Sequence, residues 1–281
     1  MVKNKKIFGV VEGFYGRHYS FAERCDLIKF LSELDLNTYV YAPKDDPYHR
    51  REYFKIYPLS ELKEFENLNK LARRYEVDFN YAISPGTEPM LKALIKKIAS
   101  MMEIDIRHFS ILFDDIKIKL DSNTALVQVK CANEVWALLK DKWQDAELFF
   151  CPTQYYGFNK TEYITTIAEN LNKEIKIFWT GRWVIASKIT VEDINNITQI
   201  LTRPPLIWDN IFANDYLPGI ILKFPYRNRE PRIVEKVCGI LLNPMNQYLQ
   251  SKPLIFTAAE FFKNPFNYSP KYSWRKAKMF Y

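Results

Sequence analysis

Short apolar runs alternate with stretches of helical period along almost the whole chain. The runs cover residues 7–12, 38–42, 79–83, 107–113, 148–152, 175–180, 206–208 and 239–243. Most are apolar on successive residues rather than on alternate ones, the pattern of a strand buried on both faces. Between them, residues 21–31, 59–75, 90–102, 124–143, 163–171, 191–201, 232–236 and 253–262 space their apolar positions as a helix does. Ser20 and Thr190 stand just before two of these stretches and are suited to cap them. Ser84-Pro85-Gly86 punctuates the end of the third run. Eight strand–helix units in about 250 residues predict an α/β fold, a single-domain (β/α)8 TIM barrel. The domain is expected over 1–281, with its core at about 7–262 and a tail, 263–281, packed on the barrel or extended. A doubly wound sheet would instead want a glycine-rich phosphate turn after the first strand, and Gly13-Phe14-Tyr15-Gly16 lacks that spacing.

Composition narrows the function. The net charge is +7, but the basic residues are scattered, as at Arg73-Arg74, Lys96-Lys97 and 271–278, and no nucleic-acid motif accompanies them. No nucleic-acid partner is therefore expected. Cys25, Cys131, Cys151 and Cys238 are far apart and have no histidine at ligand spacing, so neither a metal nor any other cofactor is expected. They suit small buried thiols in a reducing compartment. Residues 1–8 carry charge without the apolar stretch of a leader, and no segment approaches membrane-spanning length. The expectation is a cytoplasmic protein without a membrane span.

In a barrel of this kind, chemistry gathers where the strands finish. Read in order, those ends are Glu12-Gly13, Lys44-Asp45-Asp46, Ser84, Asp114-Asp115, Tyr155, Thr180, Trp208-Asp209-Asn210 and Asn243. Nearly every run stops on a hydrogen-bonding or aromatic side chain. Asp114 and Asp115 are the sharpest case, because adjacent carboxylates repel and one of them should hold a proton more readily. That would supply one charged acceptor and one proton donor, the equipment of sugar hydrolysis. His18, His49 and His108 have no Ser or Cys partners in a triad pattern and read as ordinary structural residues.

Six blocks, in order, carry a resemblance. They are Gly9-Val10-Val11-Glu12-Gly13-Phe14-Tyr15-Gly16-Arg17, Tyr41-Ala42-Pro43-Lys44-Asp45-Asp46-Pro47, Phe113-Asp114-Asp115-Ile116, Cys151-Pro152-Thr153, Trp179-Thr180-Gly181, and Trp208-Asp209-Asn210-Ile211 with Asn214-Asp215-Tyr216. Over about 7–262 the chain resembles the catalytic domain of the O-GlcNAcase family, glycoside hydrolase family 84. The resemblance implies a retaining exo-β-N-acetylglucosaminidase that acts on a glycan or glycoprotein bearing N-acetylglucosamine (GlcNAc). The substrate's 2-acetamido oxygen would be the nucleophile and an oxazoline the intermediate, one of the exceptions to the two-carboxylate scheme.

By the same resemblance, Asp114 would orient the acetamido group, and Asp115 would protonate the leaving oxygen and then activate water. Tyr155 would donate to the acetamido oxygen. Thr180 and Trp208 would wall the acetamido methyl, with Asn210 near Asp114. Gly13 and Lys44 would grip a ring hydroxyl, while Asp215 and Asn243 would hold the outer hydroxyls. Gln154 and Phe212 depart from the Glu and His common in the family, and the loop 156–160 is short. The chain also ends soon after the barrel, so the appended helical and carbohydrate-binding regions of many relatives are expected to be missing. Two other functions fit the same residues: a GlcNAc-binding module without turnover, and a hydrolase of hyaluronan-type glycans.

Overall fold

The computed structural model describes residues 6–280. The amino-terminal residues 1–5, on which most of the leader reading falls, and residue 281 of the tail lie outside the described part. The strands are β1 (Ile7–Glu12), β2 (Thr38–Tyr41), β3 (Asp78–Ile83), β4 (His108–Leu112), β5 (Leu148–Cys151), β6 (Lys176–Trp179), β7 (Leu206–Asp209) and β8 (Gly239–Leu242). All pair in parallel in sequence order, and β1 closes on β8 with Ile7 opposite Gly239, so the sheet is a closed barrel. The helices are α1 (Phe21–Glu33), α2 (Leu59–Arg74), α3 (Leu91–Glu103), α4 (Ser122–Lys142), α5 (Glu162–Asn170), α6 (Val191–Leu201), α7 (Ile233–Lys236), α8 (Tyr248–Lys263) and α9 (Pro270–Ala277). The (β/α)8 architecture is the one the apolar runs predict.

The continuous apolar runs are explained by two cores. One fills the barrel and includes Val11, Val40, Ala82, Leu112, Phe149, Phe178 and Leu241. The other lies between strands and helices, where Val10, Phe150, Trp179 and Leu242 point outward. Neighbouring strand residues thus serve opposite faces, and both faces are dry. Ser20 caps α1 in a reciprocal capping box with Glu23, and Thr190 does the same for α6 with Asp193.

Most boundaries shift by a residue or two from the sequence reading, and two differences have a physical reason. Helix α8 starts at Tyr248, five residues before Pro253, where a proline was expected to open it. Proline inside the second turn forfeits one backbone hydrogen bond. Burial of Tyr248, Ser251, Pro253 and Leu254 accompanies the longer helix. Strand β4 stops at Leu112, so the two acids stand beyond it in the loop. After α8, the chain folds back on the barrel: Tyr268 donates to the Tyr226 carbonyl at 2.8 Å, and Phe280 packs against Phe30 and Phe256.

Several acids at strand ends are spent on holding the barrel rim. Glu12 is fully buried and takes Arg24 in a fork, Nε at 2.9 Å and Nη2 at 2.8 Å, together with the Tyr19 N–H and the Tyr39 hydroxyl. Asp46 accepts from the hydroxyls of Tyr41 at 2.7 Å and Tyr57 at 2.6 Å. Asp209 takes a fork from Arg229 and the Tyr226 hydroxyl at 2.8 Å. Each network ties a strand to the loop or helix that follows it, so these carboxylates are not available for chemistry.

Breaking one of these pairs should be costly, because it strands a buried charge. Arg24→Met is expected to lose about 3–5 kcal/mol of stability by chemical denaturation. Adding Glu12→Gln should recover part of that loss, so that the double variant falls short of the sum of the two single ones.

Candidate active site

A cavity of about 320 Å³ opens at the carboxyl end of the barrel. All ten residues singled out from the sequence line it: Gly13, Lys44, Asp114, Asp115, Tyr155, Thr180, Trp208, Asn210, Asp215 and Asn243. They come from the ends of seven different strands, or the loops just after them, and meet only because the barrel closes.

Asp114 is 6% exposed, and Lys44 Nζ pairs with its Oδ2. Its Oδ1 is buried and has no hydrogen-bond partner. Burial alone would push this carboxyl up, but the Lys44 charge and hydrogen bond, with Arg50 and His49 behind, override it and hold Asp114 below the usual range. Mutual repulsion of the two acids was expected to raise one of them; at Asp114 a buried lysine has reversed the sign. The same ammonium lies 5.2 Å from the centroid of the Trp208 ring.

Asp115 has φ 55°, the left-handed conformation that aspartate tolerates better than most residues. Its Oδ1 accepts from the Tyr155 hydroxyl and its Oδ2 from the Tyr15 hydroxyl, both at 2.7 Å. Burial, followed by the hydrogen bond to Asp115, raises Tyr155 far above the usual phenol range and pushes Tyr15 up to about 12. Both therefore stay protonated and donate. The resemblance put the Tyr155 hydroxyl on the substrate's acetamido oxygen, but here it is engaged with Asp115.

The wall opposite is a hydrogen-bonded set centred on Asn210. Its Oδ1 accepts from Trp208 Nε1 at 3.0 Å and from Asn243 Nδ2 at 2.9 Å, and its Nδ2 donates to the Val184 carbonyl at 2.7 Å. Asn210 thus braces the wall and makes no hydrogen bond to Asp114, the neighbourhood it was expected to serve. Asn243 Oδ1 in turn accepts from the Gly13 N–H at 3.2 Å. Gly13 must be glycine here, since a Cβ would drive into the Trp208 ring. The Thr180 hydroxyl is turned to the Trp183 carbonyl at 3.0 Å. Asp215 already accepts the Tyr15 N–H at 2.9 Å through Oδ2.

The sequence reading assigned no role to Tyr15, Cys151, Val184, Ile185, Ala213 or Tyr216, which also line the cavity. Tyr15, Cys151 and Tyr216 fall within the blocks quoted above, so a signal was there. Val184 and Ile185 come from the loop after β6, where nothing in the local pattern marks them. Gln154, one of the departures, holds the short loop by bonding the Asn159 carbonyl and the Thr161 hydroxyl. Phe212, the other, is buried against Phe224 and Tyr226. Burial, with the nearby Lys44 charge, pushes His49 down to about 4, and its Nδ1 meets the Ala82 carbonyl at 2.8 Å, so it stays neutral beneath the site. Among the described residues no group of three or more His, Cys, Asp or Glu is placed to hold a metal ion. No described helix is long and apolar enough to cross a membrane.

A family model described as beta-N-acetylglucosaminidase matches residues 8–280. The chain belongs to that family. It is 35% identical over 278 residues to the Protein O-GlcNAcase of Rattus norvegicus and to that of Mus musculus, a match covering 92% of this chain. It spans 30% of the length of each of these relatives. Among solved structures it is similar to a mutant of the Thermobaculum terrenum O-GlcNAc hydrolase, with TM-score 0.92 and 31% identity over 98% of this chain and 63% of that one. It is also similar to CpGH84B, with TM-score 0.90 and 34% identity over 97% of this chain and 50% of that one.

The Lys44–Asp114 pair yields a pH-dependent stability test. Asp114 is held below its unfolded value, about 3.9, so it stabilises the fold fully above that pH and loses the contribution as pH falls through its lower folded value. Lys44→Met leaves burial unopposed and raises Asp114 instead. The stability gap between wild type and variant should therefore widen as pH rises from about 4 to 7, reaching about 3–5 kcal/mol. Denaturant melts across that range measure it, and a gap independent of pH would contradict the assignment.

Proposed function

We propose that the chain is a retaining exo-β-N-acetylglucosaminidase that releases terminal β-linked GlcNAc, including GlcNAc on Ser or Thr of glycoproteins. The nucleophile is the substrate's own acetamido oxygen. The observation that carries this reading is the division of labour between the two neighbouring acids. Asp114, which lines the cavity, is ionised, buried and paired through one oxygen, and its other oxygen is a buried acceptor with no hydrogen-bond partner among the described residues. An acceptor held in this way is suited to an amide N–H, and it strengthens as that N–H becomes more acidic in the cyclising acetamido group.

In the first step the acetamido oxygen attacks the anomeric carbon as the glycosidic C–O bond breaks, and Asp115 gives its proton to the departing oxygen. The product is an oxazolinium whose N–H is bonded to Asp114. In the second step water attacks the anomeric carbon, the ring C–O bond returns its electron pair to the acetamido carbonyl, and Asp115 takes the proton from water. Two displacements at one carbon retain its configuration. Trp208 and Thr180 wall the acetamido methyl, and the Asn210 network keeps that wall rigid, so the internal nucleophile is held close to its attack geometry. Gly13, Lys44, Asp215 and Asn243 grip the ring hydroxyls.

Two measurements test the reading. Asp115→Asn should lose about 10²–10⁴-fold in kcat/KM on an aryl GlcNAc glycoside with a poor leaving group, and far less on the dinitrophenyl glycoside, which needs no proton. Equal losses on both would remove Asp115 from the acid role. A thiazoline mimic of the oxazoline should inhibit competitively, and an active enzyme indifferent to it would not use the acetamido group.

A further inference from the structure

Tyr15 has no place in the reaction as described so far, yet it is fixed from several sides. It lies in the loop between β1 and α1 and is 40% exposed. Its hydroxyl donates to Asp115 Oδ2 at 2.7 Å, opposite the Tyr155 hydroxyl on Oδ1. Arg50 Nη1 donates to the Tyr15 oxygen at 3.1 Å, and the guanidinium carbon sits 5.5 Å from the ring centroid. The Tyr15 backbone is pinned as well, its N–H on Asp215 and its carbonyl on Asn246 Nδ2 at 2.6 Å. A tyrosine on a protein's rim ordinarily packs one ring face and leaves its hydroxyl to water. This hydroxyl is directed inward, at the residue assigned the proton transfers.

The charges around Asp115 isolate the part Arg50 plays. From β4 comes Asp114, whose charge is balanced by Lys44 from the loop after β2. From the end of β5 come the Tyr155 hydroxyl and the Cys151 thiol, whose burial pushes it up so that it carries no charge. Asp215 faces the Tyr15 backbone rather than Asp115. Arg50 remains as a half-buried cation with no carboxylate ion-pair partner among the described residues, and Tyr15 stands between it and the acid.

We propose that Arg50 and Tyr15 form a positioning pair for the acid–base carboxylate. Arg50 polarises the phenol, and the phenol holds Asp115 in place for the step in which it accepts a proton from water. The pair rests on the reading of Asp115 as the acid–base residue. A hydrogen bond from a polarised phenol to a carboxylate is charge-assisted and weakens when the carboxyl is protonated. It therefore favours the second step, where Asp115 must be a base, over the first. It also helps to hold Asp115 in its left-handed backbone conformation, which persists only where surrounding contacts enforce it.

The test uses Tyr15→Phe, Arg50→Met and the double variant, assayed on aryl GlcNAc glycosides across pH. Loss of a donor favours the protonated acid, so Tyr15→Phe should move the alkaline limb of kcat/KM up by about half to one pH unit. On the dinitrophenyl glycoside at neutral pH, where breakdown of the intermediate limits the rate, kcat should fall about 10-fold with little change in KM. Arg50→Met should move both readouts the same way and less, and should add nothing once Tyr15→Phe is in place. If Arg50→Met does not fold, Arg50→Ala takes its place. An unmoved alkaline limb in an active Tyr15→Phe enzyme overturns the pair. An Arg50 effect that persists in full without the hydroxyl shows that the guanidinium acts directly and overturns the relay. Failure of the functional reading itself would look different, as a wild-type protein inactive on every aryl glycoside.

Discussion

The cavity depends on one buried contact, the ammonium of Lys44 against Oδ2 of Asp114. Two carboxylates adjacent in sequence and facing one cavity would repel each other, and the simplest relief is for one of them to stay protonated. Lys44 removes that relief for Asp114 by keeping it charged in spite of its burial. The lysine is itself 2% exposed at its side chain and finds its other electrostatic partner in the Trp208 ring. One cation therefore anchors the ionised acid and the aromatic wall together. In the proposed mechanism the proton transfers then fall to Asp115. The uncompensated oxygen of Asp114 is a cost to the free protein, and a substrate amide is the group that would repay it.

How much of this was legible in the sequence follows from which interactions are local. The strands could be read because both faces of each are dry, which leaves an unbroken apolar run. The caps at Ser20 and Thr190 could be read because a capping box spans only three residues. The start of α8 could not, since Pro253 is a helix-opening signal only until burial of Tyr248 and Leu254 outweighs its missing N–H. Among the acids at strand ends, adjacency drew attention to Asp114 and Asp115, but nothing in the sequence showed that Glu12, Asp46 and Asp209 are tied up in structural networks. That distinction lies in the partners, Arg24 for Glu12, two tyrosines for Asp46 and Arg229 for Asp209, which reach their carboxylates from other loops and helices. Nine of the ten site residues could be picked out as strand ends, but their separate roles, and Asp215 altogether, came only from the resemblance of six ordered blocks to a known family. Tyr15 was quoted within one of those blocks and still missed, because its role depends on Asp115, a hundred positions away.

The structural acids bear on the site as well. Glu12, Asp46 and Asp209 each immobilise the backbone near the end of a strand, and residues that line the cavity lie within a few positions of them. Gly13 comes directly after Glu12, Lys44 sits two residues before Asp46, and Asn210 follows Asp209. Arg229 extends this bracing across the cavity rim, since its Nη2 donates to the Ala186 carbonyl at 2.9 Å and its Nη1 to the Ser187 carbonyl at 3.3 Å. That loop also carries Val184 and Ile185. For the proposed mechanism, rigid support of this kind matters more than for an enzyme with its own nucleophile, because the attacking oxygen would belong to a substrate side arm whose rotation the walls must stop.

In the proposed mechanism Asp115 faces the opposite requirement. A general acid in the first displacement must be a general base in the second, so no fixed environment suits both steps. Donors on both of its oxygens orient the carboxylate for the second step, while proton donation in the first step is helped by the charge that builds on the leaving oxygen. A phenol is well matched to this alternation. It donates strongly when the carboxylate is charged, gives up little when the proton returns, and, being raised by burial, does not lose its own proton. Lysine or arginine in direct contact would instead hold Asp115 in one state, as Lys44 holds Asp114. The two neighbouring aspartates therefore differ through their partners: a cation at close range keeps one permanently ionised, and neutral hydroxyls, one of them backed by a more distant cation, let the other cycle.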